Sequence, residues 1–274
     1  MKNLISKLII IYKNTIFLSL LRKLMFSKNI EKIFTSDLFS SILRPKTIDI
    51  KQKSRILVVA PHPDDEAIGM GGALTKEATL KSSISILYCT SKDGEKRYNE
   101  AKILCKKSGF DYYFLKCKDK NIEISSRTIS FIRDIYNKCL PEKIYLPLFC
   151  DSHDDHKRVS ELIYESLKDS SLSNNLEIYC YQVYSFIPTN CVLDITKEIN
   201  KKHKLINFYK SIKTNRNWVH WSSGMNAYLS RFLGSSQKKK YAETFLKYDV
   251  KEYFKICSVY FRKKFVIYNN KNYF

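Results

Sequence analysis

The chain has no closely spaced pair of cysteines. Its eight cysteines are scattered singly through 274 residues, without a CxxC motif, and several lie inside apolar runs such as Ile86-Leu87-Tyr88-Cys89. This distribution argues against a disulfide framework. It predicts buried free thiols in a reducing compartment, and we therefore expect a cytoplasmic protein.

A long apolar run is also missing. The stretch from Leu8 to Leu21 is interrupted by Lys13 and Asn14, so it is too short and too polar for a membrane span, and no small-residue cleavage site follows it. Residues 3–26 instead predict a basic amphipathic helix. Its apolar pattern fits two uses equally, a peripheral contact with the inner face of an anionic membrane or packing onto a protein surface.

Acidic residues are scarce compared with basic ones. Lys and Arg number 48 against 27 Asp and Glu, which gives a formal net charge of +21. Such an excess favours anionic partners, namely phosphate-bearing substrates, acidic lipids or nucleic acid. The charge does not select among them, and a lysine-rich surface encoded by an AT-rich genome would look the same.

From residue 54 onward, short apolar runs alternate with helical stretches. Strands are predicted at residues 55–60, 84–90, 112–115 and 143–148, and helices at residues 71–81, 95–108, 125–140 and 155–168. This alternation predicts an α/β fold, a Rossmann-like and mainly parallel sheet with helices on both faces. We expect one catalytic domain over residues 51–247, preceded by the helix and connector of residues 1–50.

The order is less regular after residue 178. Strands are expected at residues 179–186 and 191–195 and a helix at residues 196–212, whereas residues 218–234 show no clear period. Residues 248–274 form a basic, aromatic C-terminal extension, for which a strand, a short helix or a tail are all compatible with the sequence.

A dense polar cluster follows the first strand of the predicted domain. It reads Pro61-His62-Pro63-Asp64-Asp65-Glu66. Groups just past the carboxyl end of a parallel strand face the crevice where ligands bind. Carboxylates packed this closely raise one another's pKa and destabilise the fold unless a cation neutralises them, so the cluster predicts a bound divalent metal.

A second cluster follows the fourth strand and reads Asp151-Ser152-His153-Asp154-Asp155-His156. Three of the five histidines of the chain fall in these two short segments. Imidazole and carboxylate ligands without clustered thiolates are typical of a catalytic zinc site, which has three protein ligands and an open position.

Two other interpretations of the first cluster are weaker. Gly69, Gly71 and Gly72 follow a strand as in a dinucleotide fold, but their spacing is not GxGxxG and the neighbouring carboxylates would repel a pyrophosphate. We expect these glycines to allow a tight turn and close packing instead. Acidic residues are also common in the first turn of a helix, where they interact favourably with the helix dipole. This interpretation would explain the carboxylates, but it would not explain His62 or the second cluster.

With these motifs, the chain resembles the LmbE-like or PIG-L family of zinc-dependent N-deacetylases over residues 55–245. The resemblance implies that His62, Asp65 and His156 hold zinc, with iron as an alternative metal in the cell. It also implies that Asp64 is the general base and that His153 donates a hydrogen bond or proton to the tetrahedral oxyanion.

Other residues near the motifs leave alternatives open. Asp155 is expected to hold an imidazole or to cap the following helix, and Glu66 to brace the metal loop or to begin a helix. Arg97 either binds hydroxyl or phosphate groups of the substrate or is a surface residue. Trp218 and Trp221 either stack on a sugar from a mobile loop or are buried in the core.

The resemblance implies a hydrolase that removes the acetyl group from an N-acetylglucosamine-type sugar on a glycan, lipid or nucleotide conjugate. The same motifs would serve a metal-dependent amidase of another acylated small molecule. A non-catalytic relative that binds membranes or glycans is a further alternative. Nucleic acid is not an expected partner.

Overall fold

The computed structural model describes residues 45–90, 95–212, 216–234 and 237–262. The helix predicted at residues 3–26 lies outside the described residues, as do residues 263–274 of the predicted C-terminal extension. The strands are β1 Lys46–Ile48, β2 Arg55–Ala60, β3 Ser83–Thr90, β4 Asp111–Cys117, β5 Lys143–Pro147, β6 Glu177–Tyr181, β7 Cys191–Asp194 and β8 Ala242–Asp249. The α-helices are α1 Asp65–Thr79, α2 Lys96–Ser108, α3 Ser126–Cys139, α4 Asp154–Leu167, α5 Ile199–Phe208, α6 Trp218–Leu229 and α7 Val250–Tyr260.

The strands form one mixed sheet, in the order β1-β7-β8-β6-β5-β2-β3-β4. β8 pairs antiparallel with β6 and β7, and every other neighbouring pair in the sheet is parallel. Ile56, Val58 and Ala60 of β2 enter the main hydrophobic core, and the alternating Leu57 and Val59 are fully buried as well. β2 is therefore covered on both faces, and the predicted α/β fold with a mainly parallel sheet is confirmed.

The glycines that follow β2 lie inside a helix and not in a turn. α1 begins at Asp65, six residues before the predicted helix, and contains Gly69 and Gly72. A Cβ atom at Gly69 would lie 2.5 Å from Cδ2 of Tyr181, and one at Gly72 would lie 2.5 Å from Cγ2 of Ile195. The glycines therefore allow α1 to pack closely against neighbouring segments, while the expected tight turn is absent at these described positions.

Residues 218–234, which show no period in the sequence, form α6 and a 3₁₀ helix at Ser230–Leu233. Asn217 caps α6, because its side chain accepts a hydrogen bond from the backbone N–H of His220. Asn226 is buried and donates to the carbonyl of Ala242 in β8, 2.8 Å away. Polar residues on the buried side of α6 interrupt the apolar pattern on which the sequence prediction relied. Of the two alternatives for Trp218 and Trp221, the structure shows packing against the core from a helix and not a loop.

The segment after residue 241 contributes to the sheet. β8 runs through residue 247, where the catalytic domain was predicted to end, and α7 follows it directly. Asp249 caps α7 by accepting from the backbone N–H of Glu252, and Tyr253 and Cys257 are buried. Residues 248–262 thus pack onto the same domain.

The cysteines match the expectation of free thiols. All eight cysteines are free and six of them are buried, whereas Cys139 is half-buried and Cys150 is exposed. Among the helices of the described residues, none combines the length and the apolar character that crossing a bilayer requires.

A buried ion pair joins α1, α5 and β8. Glu243 accepts hydrogen bonds from the backbone N–H groups of Gly72 and Ala73, 2.8 and 2.7 Å away, and its carboxylate lies 2.7 Å from Nζ of Lys202. The side chains of Lys202 and Glu243 are 0% and 1% exposed. α1 has a non-helical residue at Met70, so Glu243 caps the start of its second segment.

Replacement of Glu243 by Ala is expected to lower the free energy of unfolding by about 3–5 kcal/mol, because it leaves a buried ammonium and two backbone N–H groups without partners. Urea unfolding measures the change. Glu165→Ala is the matched control, since Glu165 pairs with Lys168 at 2.7 Å on an exposed surface and should cost only about 0.5 kcal/mol. Equal losses in the two variants would contradict this account.

Candidate metal and catalytic site

The two polar clusters meet at the point where the strand order reverses. From β2 the chain continues to β3 and β4 on one side of the sheet, then crosses to β5 on the other side of β2. β2 and β5 are parallel neighbours, so the segments after them lie together at the carboxyl edge of the sheet. Ligand sites of open α/β sheets lie in this crevice.

Three side chains converge there in ligand geometry. Oδ2 of Asp65 lies 3.1 Å from Nδ1 of His62 and 3.3 Å from Nε2 of His156. All three residues are buried. Ligands bound tetrahedrally at zinc–nitrogen distances would lie about 3.4 Å from one another, so this spacing suits a divalent cation between them.

Carboxylates stand behind both imidazoles of this group. Nε2 of His62 lies 3.0 Å from oxygens of both Asp155 and Asp119. Nδ1 of His156 lies 3.6 Å from Oδ2 of Asp151. Histidines that bind a metal usually turn the other ring nitrogen toward a carboxylate, which orients the ring and raises its basicity.

Asp119 and Asp151 were not assigned roles from the sequence. Asp151 follows β5 inside the second polar cluster, and Asp119 follows β4. Both therefore come after the carboxyl end of a strand, which is the signal that identified the other site residues. Asp119 stands among lysines rather than histidines, so nothing in its immediate sequence indicated a metal site.

Unsatisfied polar atoms favour the group of His62, Asp65 and His156. Within the described part of the chain, neither ring nitrogen of His156 has a hydrogen-bond partner, although the residue is fully buried. Buried polar atoms without partners are rare and indicate an ion or water. Nitrogen and oxygen donors of this kind fit zinc or ferrous ion.

His62, His153 and Asp155 also come close enough to bind an ion. Two polar atoms of this group already have hydrogen-bond partners, however. Oδ2 of Asp155 accepts from the backbone N–H of Lys120, and Nδ1 of His153 accepts from the backbone N–H of Asp155. This second group is therefore the weaker candidate for a metal site.

The ionisation of the three candidate ligands is strongly coupled. Burial alone would lower the pKa of His156, but the carboxylates of Asp65 and Asp151 raise it to about 9. Burial likewise opposes the charge on Asp65, yet His156 and His62 hold the pKa of Asp65 well below its usual range. The site therefore keeps Asp65 ionised, as a metal ligand requires.

Asp64 lies beside these ligands in a strained conformation. Burial, together with the charge of Asp65, raises the pKa of Asp64 well above its ordinary value, while Arg97, whose Nη1 lies 3.9 Å from Oδ2, opposes the shift. The backbone φ angle of Asp64 is 125°, a region that favours glycine. Such strain is often found at functional sites.

Glu66 holds the strained residue in place. One carboxylate oxygen of Glu66 accepts from the backbone N–H of Asp64 at 3.0 Å, and the other accepts from the hydroxyl groups of Tyr209 and Tyr88 at 2.5 and 3.3 Å. Burial raises the pKa of Glu66 to about 7. The sequence left two roles for Glu66, a residue at the start of a helix or a brace for the metal loop. Glu66 has both, because it lies in the first turn of α1 and its carboxylate holds the backbone of Asp64.

Replacement of Asp64 by Gly should relieve this strain. We expect the free energy of unfolding of the metal-free protein to rise by about 1 kcal/mol, although glycine gains entropy in the unfolded chain. Urea unfolding in the presence of a chelator measures the change. Asp64→Ala is the control, because alanine at this position must still adopt the positive φ angle. If Asp64→Gly were no more stable than Asp64→Ala, the backbone at residue 64 would not be strained.

His153 faces the same crevice from the start of α4. It is the N-cap of α4, and its ring centroid lies 5.0 Å from that of His62. Because Nδ1 accepts a hydrogen bond, the neutral ring carries its proton on Nε2. Burial, followed by the charges of His156 and His62, lowers the pKa of His153, which favours this neutral form.

An aromatic group borders the site. Tyr184, which follows β6, stacks on His153 with ring centroids 5.4 Å apart. Trp218 and Trp221 of α6 approach Tyr184, with ring centroids at 6.0 and 6.5 Å. The sequence singled out both tryptophans but not Tyr184, whose position depends on the pairing of β6 with β5.

Beside His62, a cavity of about 420 Å³ opens toward the end of β4. Arg97, Lys118 and Asp119 are among the side chains that line it. The side chain of Arg97 is 39% exposed, so it reaches both the cavity and Asp64. Two cations at the edge of a histidine and carboxylate cluster can receive an anionic or hydroxyl-rich group.

Comparison with known proteins agrees with this fold and site. Residues 57–167 match the family model described as "PIG-L: GlcNAc-PI de-N-acetylase". A conserved protein from Thermus thermophilus is 23% identical over 70% of this chain and 93% of its own, with a TM-score of 0.59. The N,N'-diacetylchitobiose deacetylase from Pyrococcus horikoshii is 21% identical over 82% of this chain and 93% of its own, with a TM-score of 0.60.

A third similar structure has a different described activity. The 4-carboxy-2-hydroxymuconate hydratase from Pseudomonas putida is 17% identical over 72% of this chain and 96% of its own, with a TM-score of 0.59. At these identities the structural likenesses establish a shared fold. The matched residues include both polar clusters, so the chain carries a PIG-L (LmbE-like) family domain over residues 57–167.

Proposed function

We propose that the chain is a metal-dependent N-deacetylase of an amino-sugar conjugate of the N-acetylglucosamine type. The observation that carries the proposal is the buried carboxylate of Asp64 beside the converging donors of His62, Asp65 and His156. The description of the matching family model and the activity of the Pyrococcus horikoshii structure support a deacetylase. A hydratase has the same fold, so the fold alone does not determine the reaction, and the proposal depends on the residues of the site.

His62, Asp65 and His156 would hold the metal, with zinc as the expected ion and ferrous ion as its alternative in the cell. When bound, a divalent metal supplies Lewis-acid chemistry, which polarises a carbonyl oxygen and lowers the pKa of water. Asp119, Asp151 and Asp155 orient the two imidazoles from behind.

Asp64 acts as the general base. Its carboxylate accepts a proton from the water that attacks the acetamide carbonyl carbon, and it returns this proton to the amine nitrogen as the C–N bond breaks. The products are acetate and a free amino sugar. Burial and the charge of Asp65 raise the pKa of Asp64, which makes the carboxylate a stronger base, and Arg97 limits the rise.

His153 stabilises the negative charge that develops on the carbonyl oxygen. Its Nδ1 is occupied by the backbone N–H of Asp155, so its Nε2–H is the donor that can face the substrate. One donor of this kind contributes about 10²- to 10³-fold in rate. The ring of Tyr184 stacks on His153 with an interplanar angle of 21°, and this contact restricts the rotation of the imidazole.

The sugar is proposed to lie between the aromatic group and the cationic cavity. Tyr184, Trp218 and Trp221 offer ring faces on which a sugar can stack. Arg97 and Lys118 would bind hydroxyl or phosphate groups of the part that carries the sugar.

A panel of N-acetylglucosamine conjugates tests this function. Zinc-loaded protein is incubated with free, nucleotide-linked, inositol-linked and lipid-linked N-acetylglucosamine, and acetate release is measured beside the Asp64→Asn variant. Release from one conjugate that is lost in the variant supports the proposal and names the carrier. No release from any conjugate, by protein that binds zinc, would reject the substrate class and favour a metal-dependent amidase of another acylated molecule.

A further inference from the structure

An exposed aromatic and basic surface lies next to the mouth of the site. Phe186, two residues after Tyr184, is 72% exposed, and Tyr228 at the end of α6 is 51% exposed. Their ring centroids lie 5.9 Å apart. We call this region the aromatic-basic surface and define it by Phe186, Tyr228, Arg231, Phe232, Lys238 and Lys239.

Basic side chains form part of the aromatic-basic surface. The guanidinium of Arg231 lies 4.4 Å from the ring centroid of Tyr228 and 4.6 Å from that of Phe232. Nζ of Lys240 lies 3.5 Å from the carbonyl oxygen of Leu233, which brings the exposed Lys239 close to the 3₁₀ helix at Ser230–Leu233. The surface therefore combines a guanidinium group that packs on two aromatic rings with exposed lysines nearby.

The segment that provides most of this surface contains no acidic residue. Residues 199–242 hold no Asp or Glu, although they hold Lys or Arg at positions 201, 202, 204, 210, 213, 216, 231, 238, 239 and 240. Acidic residues elsewhere in the chain are not rare, with 27 in 274 residues. The positive charge is thus concentrated on this part of the chain, and it favours a partner with a dense negative charge.

The exposed side chain of Phe186 indicates what kind of partner binds the aromatic-basic surface. A phenylalanine side chain has no hydrogen-bonding group, and exposed apolar side chains gathered in one patch indicate a contact with an apolar phase or another protein. Tyrosine and arginine beside it are typical of side chains at the boundary between lipid headgroups and acyl chains. Lysines near an anionic bilayer each add about a five-fold gain in affinity.

We propose that the aromatic-basic surface docks the protein on an anionic phospholipid bilayer, with Phe186 and Tyr228 in the interface and Arg231 and Lys239 on the headgroups. This inference goes beyond the proposed function, since it concerns a partner and not the reaction. Tyr184 contacts His153 and lies two residues before Phe186, so docking turns the mouth of the site toward the bilayer. The enzyme would then act on substrate presented at that surface.

Vesicle binding tests the proposal with the full-length, zinc-loaded protein. Co-sedimentation is measured with vesicles of phosphatidylcholine and phosphatidylserine, and with vesicles of phosphatidylcholine alone. We expect Phe186→Ala to weaken binding to the anionic vesicles by about ten-fold and Lys239→Gln by about five-fold. High salt should weaken binding of the unaltered protein.

Matched controls come from the opposite edge of the sheet. Leu140 is 58% exposed and precedes β5, and Lys81 is exposed and precedes β3, so both lie at the amino edge. Leu140→Ala and Lys81→Gln should leave vesicle binding unchanged. Acetate release from a water-soluble conjugate should be unaffected by Phe186→Ala, which separates failure of docking from failure of catalysis.

Three results would overturn the proposal. The first is anionic-vesicle binding that is equal in Phe186→Ala and the unaltered protein. The second is equal binding to vesicles with and without phosphatidylserine. The third is a dimer in sedimentation that Phe186→Ala dissociates, which would assign the aromatic-basic surface to a second copy of the chain.

Discussion

Asn in place of Asp64 is expected to reduce the rate of deacetylation by about 10³-fold while leaving zinc affinity unchanged, because a positioned general base contributes about 10²- to 10⁴-fold. The amide has the size of the carboxylate but cannot accept the proton of the attacking water. It also preserves the positive φ of residue 64, so the loop should keep its conformation. Steady-state kinetics on the conjugate that releases acetate measure the effect, which should fall on kcat rather than KM.

Asp154→Asn is the matched control for this prediction. Asp154 belongs to the second polar cluster and lies at the start of α4, but its side chain is 34% exposed and pairs with Lys157 at 3.2 Å. The same chemical change there should leave kcat within about two-fold, as surface substitutions usually do. Full activity of Asp64→Asn would remove Asp64 from the mechanism, and equal losses in both variants would indicate a general effect of charge.

The second large effect concerns the metal ligands. Replacement of His156 by Ala is expected to weaken zinc binding by at least about 10²-fold. Loss of a residue that only orients a metal ligand can weaken metal binding by about 10²-fold, and loss of the ligand itself should cost at least as much. Acetate release should fall with it. The buried ring of His156 lies 3.3 Å from Asp65 and 3.6 Å from Asp151, and these carboxylates raise its pKa to about 9. Its removal takes a positive partner away from two buried carboxylates, so the metal-free variant should also be less stable than the unaltered protein.

Calorimetric titration of metal-stripped protein with zinc measures this change, and thermal unfolding in chelator measures the stability. His220→Ala is the control, since His220 is exposed on α6. Unchanged zinc affinity in His156→Ala, together with its loss in His153→Ala, would transfer the metal to the alternative group of His62, His153 and Asp155.

Much of the fold and the centre of the site could be predicted from the sequence for one physical reason. Parallel strands place their carboxyl ends at one edge, so the residues after β2 and β5 had to meet once both strands were identified. His62, Asp65 and His156 therefore converge as expected. The roles of His62, Asp65 and His156 as metal ligands, and those of Asp64 and His153 in catalysis, remain predictions.

The parts that escaped prediction depend on contacts distant in sequence. Asp119 reaches His62 across 57 positions, and Glu243 pairs with Lys202 across 41. Neither pair leaves a periodic or local signal. α6 escaped because Asn226, a polar residue on its buried side, is satisfied by a carbonyl of β8, a strand that the sequence analysis did not identify at residues 242–247.

A metal-dependent N-deacetylase must release acetate only when its metal site is filled. Metal-stripped protein is titrated with zinc while acetate release from the N-acetylglucosamine conjugates is recorded. We expect no acetate release without metal, a linear rise with added zinc, and a plateau at one zinc per chain. Release that persists in stripped protein, or zinc that binds at this ratio without any release, would contradict it.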